Sequence, residues 1–512
     1  MVSLLLSKGA DPSIATESGL TALMVAAYAD HVEIAKILIT ANCPIDALNS
    51  RGETALHVAA RTDRGQNVFN LLLESGGDPN ARGSEAATVL HLAARAGNVP
   101  FVEALLKKDS DVNATVPSSG YTALHHAAKE GNREICALLI EFGSNFTLET
   151  RKGFTPLHLA VKYANVEELS YLVQVGCDIN ARALGGLTGL HIAAHYAHEA
   201  IIAKLLELDA NPSISAARTG HTPLHVASRQ GNNMILKLLL DAGASTDATT
   251  KQGFTAVHLS AFAGSVELLQ QLKEYQADLD CVARNGLTPI HLAAQTGAHE
   301  VVKYLLEEGC LFGETRSGCS VLHVAAHHGH EDVVRVLLGI ATSDDINKAN
   351  KAGFTPLHHA AQQGHSKIYK LLISAGGDAS RKTNTNFTPI DIARRLGYVS
   401  IVEQHVDEDP SPTPSSSIVS HEPPKMIAPE SLQESLTNDL QQLSGDEDDG
   451  GATGSVSVRD LKILSDDSIL TSRSNSMRSF QHSSSIHHFK KRIDTLEELI
   501  METKSEEDPQ NG

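Results

Sequence analysis

Apolar positions along most of this chain fall into two short runs per cycle, each with the i, i+3, i+4 spacing of a helix that buries one face. The first run follows a Thr or Ser, as in Thr54-Ala55-Leu56-His57-Val58-Ala59-Ala60. The second reads like Val32-Glu33-Ile34-Ala35-Lys36-Ile37-Leu38. A turn rich in Gly, Asp and Asn leads to the next cycle. The leading hydroxyl residue recurs at Thr21, Thr54, Thr88, Thr122, Thr155, Thr188, Thr222, Thr255, Thr288, Ser320, Thr355 and Thr388, at intervals of 32 to 35 residues. Such regular self-similarity marks a repeat array, and these twelve anchors cover residues 19 to about 405.

Each cycle predicts a helix pair. Thr is a favoured N-cap, and in five cycles Pro156, Pro223, Pro289, Pro356 or Pro389 follows it, where a missing N–H costs nothing. Gly97, Gly131, Gly231, Gly329, Gly364 and Gly397 suit the left-handed position that ends the first helix. Neither short helix can cover its apolar face alone, so neighbouring pairs must stack. Ten of the 26 histidines (His57, His91, His125, His158, His191, His225, His258, His291, His323 and His358) stand three residues past an anchor. An imidazole there is placed to hydrogen-bond the cap and the adjoining loop, a structural task rather than metal ligation.

The recurring G-x-T-P/A-L-H-x-A-A motif resembles the ankyrin repeat. That resemblance implies an all-α fold: an ankyrin-repeat α-solenoid of helix pairs with β-hairpin loops, whose concave face of loops and first helices binds other proteins. Residues Val2 to Asp11 resemble the second half of such a unit, so the array starts mid-unit and is expected to be a piece of a longer one. In the last unit Asp391 replaces the histidine and Arg394-Arg395 follow, which reads as a polar cap.

Composition narrows the picture. Aromatics are 4% and Trp is absent, so the core must rest on Leu, Ala, Val and Ile. With 42 basic against 61 acidic residues the net charge is -19, the wrong sign for a whole-chain nucleic-acid binder. No stretch approaches the roughly 20 apolar residues of a membrane span, and the first residues do not form a secretion signal. A cytoplasmic chain without direct membrane insertion is the reading, and the Asn145-Phe146-Thr147 sequon would matter only in a secreted one. Cys43, Cys177 and Cys310 fall 22 residues past their anchors and four units apart. At about 10 Å per unit they lie roughly 40 Å from one another, far beyond disulfide reach.

Catalytic signatures (G-x-x-x-x-G-K-[ST], G-x-G-x-x-G, H-E-x-x-H, G-x-S-x-G) do not occur, and no cofactor or metal is called for. His327-His328-Gly329-His330 lacks the Cys or carboxylate company of a zinc site. The non-catalytic binding reading rests instead on two registers. Seven residues past the anchors stand Tyr28, Arg61, Arg95, Lys129, Lys162, His195, Arg229, Phe262, Gln295, His327, Gln362 and Arg395, none of them acidic. Four residues before the anchors, at the loop tips, come Arg151, Arg218, Lys251, Arg284, Arg316 and Lys351. In the family both registers line or border the groove. Residues 1–405 carry 33 basic against 40 acidic residues, so a groove without acid is more positive than the array around it. It is expected to take extended acidic segments, with apolar help near Tyr28 and Phe262.

From residue 406 the chain changes character. Its last 107 residues hold 20 Ser, 7 Pro and 21 acidic against 9 basic residues, a composition expected to be a disordered acidic tail. Ser444 and Ser476 sit in acidophilic and basophilic contexts that suit phosphorylation. The segments Asp460-Leu461-Lys462, Ser476-Met477-Arg478-Ser479-Phe480 and Leu496-Glu497-Glu498-Leu499 resemble the linker after the repeats of the ankyrins that join membrane to cytoskeleton. That likeness implies an adaptor at the cytoplasmic face of the plasma membrane, holding cytoplasmic segments of channels, exchangers and adhesion molecules. Spectrin would be reached only through modules absent from this chain. A soluble repeat regulator of a transcription factor or enzyme, or the cytoplasmic array of an ion channel, remains open on sequence alone.

Overall fold

A computed structural model describes residues 1–61, 65–310 and 313–403. Helix pairs follow one another as the anchor spacing predicts. Representative first helices are Ala123–Glu130, Pro223–Gln230 and Ala256–Ala263, and their partners are Arg133–Glu141, Asn233–Asp241 and Val266–Glu274. First helices pack on first helices of the adjoining units, second helices on second helices, and each pair on itself. Before the first anchor a short helix, Val2–Ser7, leans on Val32–Thr40.

Periodic small and branched side chains fill the space between helices. Leu56, Leu90, Leu124 and Leu224, two residues past their anchors, are buried, as are the small pairs Ala59/Ala60, Ala93/Ala94 and Ala127/Ala128. A methyl in place of a longer side chain lets first helices approach closely. Leu72, Leu105, Leu139, Leu172, Leu205, Leu239, Leu272 and Leu305 complete the layer from the second helices, each wholly buried. The hairpin loops are tight turns rather than ladders. Thr150 N–H donates to Phe154 O at 2.8 Å, and antiparallel bridges form at Ala15/Thr21, Arg82/Thr88 and Glu314/Ser320.

The ten signature histidines join one unit to the next. In the fourth unit Thr122 N–H donates to His125 Nδ1 at 3.2 Å, and the Thr122 hydroxyl lies 2.8 Å from the same nitrogen. A backbone N–H can only donate, so Nδ1 is the acceptor and the proton sits on Nε2. Nε2–H then donates to Phe154 O of the following unit at 3.0 Å. The same double engagement recurs from His57 to His358, with His225 reaching Phe254 O and His323 reaching Phe354 O, both at 3.0 Å. His158 lies between the same two kinds of carbonyl as the others, and its nearer acceptor is Ala181 O at 3.1 Å, with Leu187 O before the next anchor beside it. At the ends the ladder stops. Met24 occupies the position in the first unit, and Asp391 in the last caps Thr388 without reaching further.

A charged imidazolium has no acceptor left for Thr N–H, and burial opposes the charge as well. Desolvation, first, pulls nine of the ten down to about 4 and His57 below its ordinary value, the carbonyl bonds opposing only in part. His126 and His359 are buried beside them and held well below the usual range for the same reason. Between pH 6.5 and about 4 the unfolded chain therefore binds more protons than the native one, and stability falls with falling pH. Each such histidine costs about 1.4 kcal/mol per pH unit in that window. Denaturant melts at pH 7.5, 6 and 5 are expected to show little change above pH 6.5 and a steep cooperative loss below it. Replacing His258 by Ala at pH 7.5 should cost about 2–4 kcal/mol, two bonds and a filled site, whereas Asp391→Ala should cost about 1 kcal/mol as the loss of a cap only.

Candidate binding surface

The register seven residues past the anchors ends each first helix beside its neighbours, and the structure gives its members different settings. Tyr28 is 64% exposed and overhangs a cavity of about 390 Å³ between the first two units, lined by Leu20, Val58, Arg51, Glu53 and Arg61 among others. Arg61 Nη1 stands 2.9 Å from Glu53 Oε1, and the Glu53 carboxylate is buried beneath it. Asn49 Nδ2 donates to Glu53 Oε2 at 3.0 Å, while Oε1 has no aligned hydrogen bond and relies on the arginine charge. The sequence reading had missed Glu53. Its signal is nonetheless periodic. One residue before the other anchors stand Leu20, Ala87, Tyr121, Phe154, Leu187, His221, Phe254, Leu287, Cys319, Phe354 and Phe387, so Glu53 is the single acid in that register.

Arg95 and Lys129 are half-buried, and the Lys129 ammonium sits 5.3 Å from the centre of the Tyr163 ring. Lys162, expected to line the groove, is buried, its ammonium 5.4 Å from Tyr163 and 5.9 Å from Phe154. A lysine stem packs well on aromatic faces while the quadrupole attracts its head, so the departure is physical. His195 Nδ1 meets Gln230 Nε2 at 3.2 Å, and burial first, then the Arg229 charge, lowers its pKa. Arg229 is itself partly shielded, and Phe262 packs half-buried on Phe254, Leu259 and Leu292. Gln295 is buried, its carbonyl accepting from His330 at 2.9 Å. Arg395 lies 5.2 Å from the centre of the Phe387 ring.

The second register behaves uniformly. Arg151, Arg218, Lys251, Arg284, Arg316 and Lys351 are all exposed at the tips of their loops. Ser444 and Ser476 lie outside the described residues. Among the described residues no group of three or more His, Cys, Asp or Glu is arranged to hold a metal ion, and no helix is long and apolar enough to cross a membrane. All six cysteines are free thiols, five of them buried.

Stacked helix pairs with exposed loops and a string of differing side chains along one register define a repeat scaffold that binds other macromolecules by surface rather than by cleft. A family model for ankyrin repeats, built of three copies, matches residues 1–83, 90–183, 138–216, 190–282, 257–348 and 322–408. The chain belongs to the ankyrin-repeat family, and its array is a protein–protein interaction scaffold.

The Glu53–Arg61 pair yields a stability test. Arg61→Ala leaves a buried carboxylate without its counter-charge and should cost about 1–2 kcal/mol, part of the gain being screened because the arginine is a third exposed. The double variant Glu53→Leu/Arg61→Leu, which removes both charges and gives position 53 an apolar residue like those of most other units, should recover most of that loss in a urea melt.

Proposed function

We propose that this chain is a non-catalytic adaptor whose inner surface holds cytoplasmic segments of membrane proteins (channels, exchangers and adhesion molecules) and which, through modules beyond this chain, couples them to the spectrin-based cytoskeleton. The single observation that carries the reading is the register from Tyr28 to Arg395, free of acid in twelve successive units of a chain with net charge -19. Exposed loop-tip cations flank it, and the Tyr28 cavity adds an apolar foothold beside Arg51 and Arg61. Charge of this sign steers acidic segments toward the surface and sets the on-rate, while burial of apolar side chains holds them. The likeness of the tail to the linker of the membrane–cytoskeleton ankyrins points to the cytoplasmic face of the plasma membrane as the place of work.

The test is capture of detergent-solubilised membrane proteins by the full chain, followed by affinity measurement on the captured segment. Arg95→Glu/Lys129→Glu, two half-buried positions outside the Glu53 pair, should weaken binding at least tenfold and flatten its salt dependence. Tyr28→Ser should weaken it at unchanged salt dependence. Unchanged affinity in both variants would defeat the reading.

A further inference from the structure

The tips of five successive units, the seventh to the eleventh, each present one cation: Arg218, Lys251, Arg284, Arg316 and Lys351. Their backbones are tied in series. Lys251 N–H donates to Thr219 O at 2.9 Å, Arg284 to Gln252 O at 3.1 Å, Arg316 to Asn285 O at 2.8 Å and Lys351 to Ser317 O at 3.0 Å. The approach is close enough that a Cβ on Gly286 would stand 2.7 Å from Arg316 N, and Gly286 has φ +81°. The backbone that carries each cation is thus held at the pitch of the stack, about 10 Å by the packing distance of helices.

The tip turns themselves hold no acid. Residues 217–220, 250–253, 283–286, 315–318 and 350–353 contain neither Asp nor Glu, whereas loops of the first and third units carry Glu17 and Glu85. Some exposed cations on the helices are paired with an acid one turn away, Lys36 with Glu33 at 2.9 Å and Arg335 with Glu331 at 2.6 Å. Lys251, Arg284, Arg316 and Lys351 form no ion pair among the described residues, and nearby Glu314 is taken by Lys348 at 2.6 Å. Like charges held about one Debye length apart repel with only partial screening, an arrangement that a solubilising surface would avoid by mixing signs.

A line of single cations at about 10 Å calls for a ligand with one anion per 10 Å on one face. Polyproline II supplies that geometry: three residues per turn and about 3.1 Å per residue, so side chains i, i+3 and i+6 align roughly 9 Å apart. A β-strand points residues three apart to opposite faces and would present only every second carboxylate of such a sequence. We propose that the tip row from Arg218 to Lys351 binds an acidic polyproline II segment of a partner protein, with Asp or Glu at every third residue. This rests on the adaptor reading for the class of partner, and it places the charged contact on the tips rather than on the groove floor.

The probe is a dye-labelled peptide of five Glu-Pro-Pro triplets, titrated with the full chain by fluorescence anisotropy at low salt. A peptide of the same composition with its five glutamates in one block serves as the control for charge alone. The triplet peptide is expected to bind at least tenfold tighter than the block peptide. Lys251→Glu/Arg284→Glu/Arg316→Glu, three exposed positions whose folding is checked by circular dichroism, should abolish that preference. Gly286→Ala, which keeps every charge and disturbs the spacing, should reduce it. Equal binding of the two peptides, or a preference that survives the triple reversal, would overturn the proposal. So would capture by phosphatidylserine vesicles through the same three residues without preference between peptides, since the row would then serve a membrane surface. Arg95→Glu/Lys129→Glu should leave the peptide preference intact. A tip row that fails while that groove variant still loses its captured segment defeats only this proposal, and failure of both defeats the adaptor reading as well.

Discussion

A neutral imidazole held at both ends is the constraint on which the array depends. Its Nδ1 closes the cap of its own helix and its Nε2–H satisfies a carbonyl of the next unit, so one side chain fixes a helix start and an inter-unit register together. Asn or Ser could perform the first task but would not reach the second, and Lys or Arg could donate onward but would not accept from the cap. The requirement explains why the ring is buried in spite of its polarity. Every polar atom it carries is paired, and an unmade bond at that depth would cost about 1–3 kcal/mol.

The ladder divides each unit into positions that must repeat and positions that need not. Anchor, histidine, the small pair and the second-helix leucine face neighbours on both sides, so a change at any of them is felt across two interfaces. Along the register that ends the first helices, Arg61 meets a carboxylate of its own unit, Lys129 and Lys162 share the Tyr163 ring, and His195 meets the Gln230 amide of the next unit. Because stability in a stack is close to a sum over nearest neighbours, such variation is absorbed locally.

Much of the fold was legible in the sequence because its determinants are local. Thr222 and His225 are three residues apart, and their mutual bond follows from helix geometry before any tertiary contact. The short helix at Val2–Ser7 and the polar end at Asp391 were visible by the same spacing. What escaped depended on contacts across the fold of a single unit, which linear spacing does not reveal. Lys162 reads as a groove-lining cation in its own helix, and only the rings of Phe154 and Tyr163 reveal it as buried. Glu53 was overlooked because an acid in a turn is unremarkable until the eleven other residues of its register are set beside it.

Binding in such a scaffold follows from the same division. The tips are joined through their backbones, Lys351 N–H to Ser317 O for one, and their charged side chains stand exposed. They are therefore free to hold a charge pattern whose period is set by the core beneath. A ligand that matches this period gains one contact per unit, and each contact after the first is closed without a fresh loss of translational freedom. Weak exposed ion pairs, worth about 0–1 kcal/mol singly, become selective in this way when geometry forces them to be counted together. The pitch imposed by alanine and leucine in the interior is thus the quantity that a surface of lysine and arginine can read out.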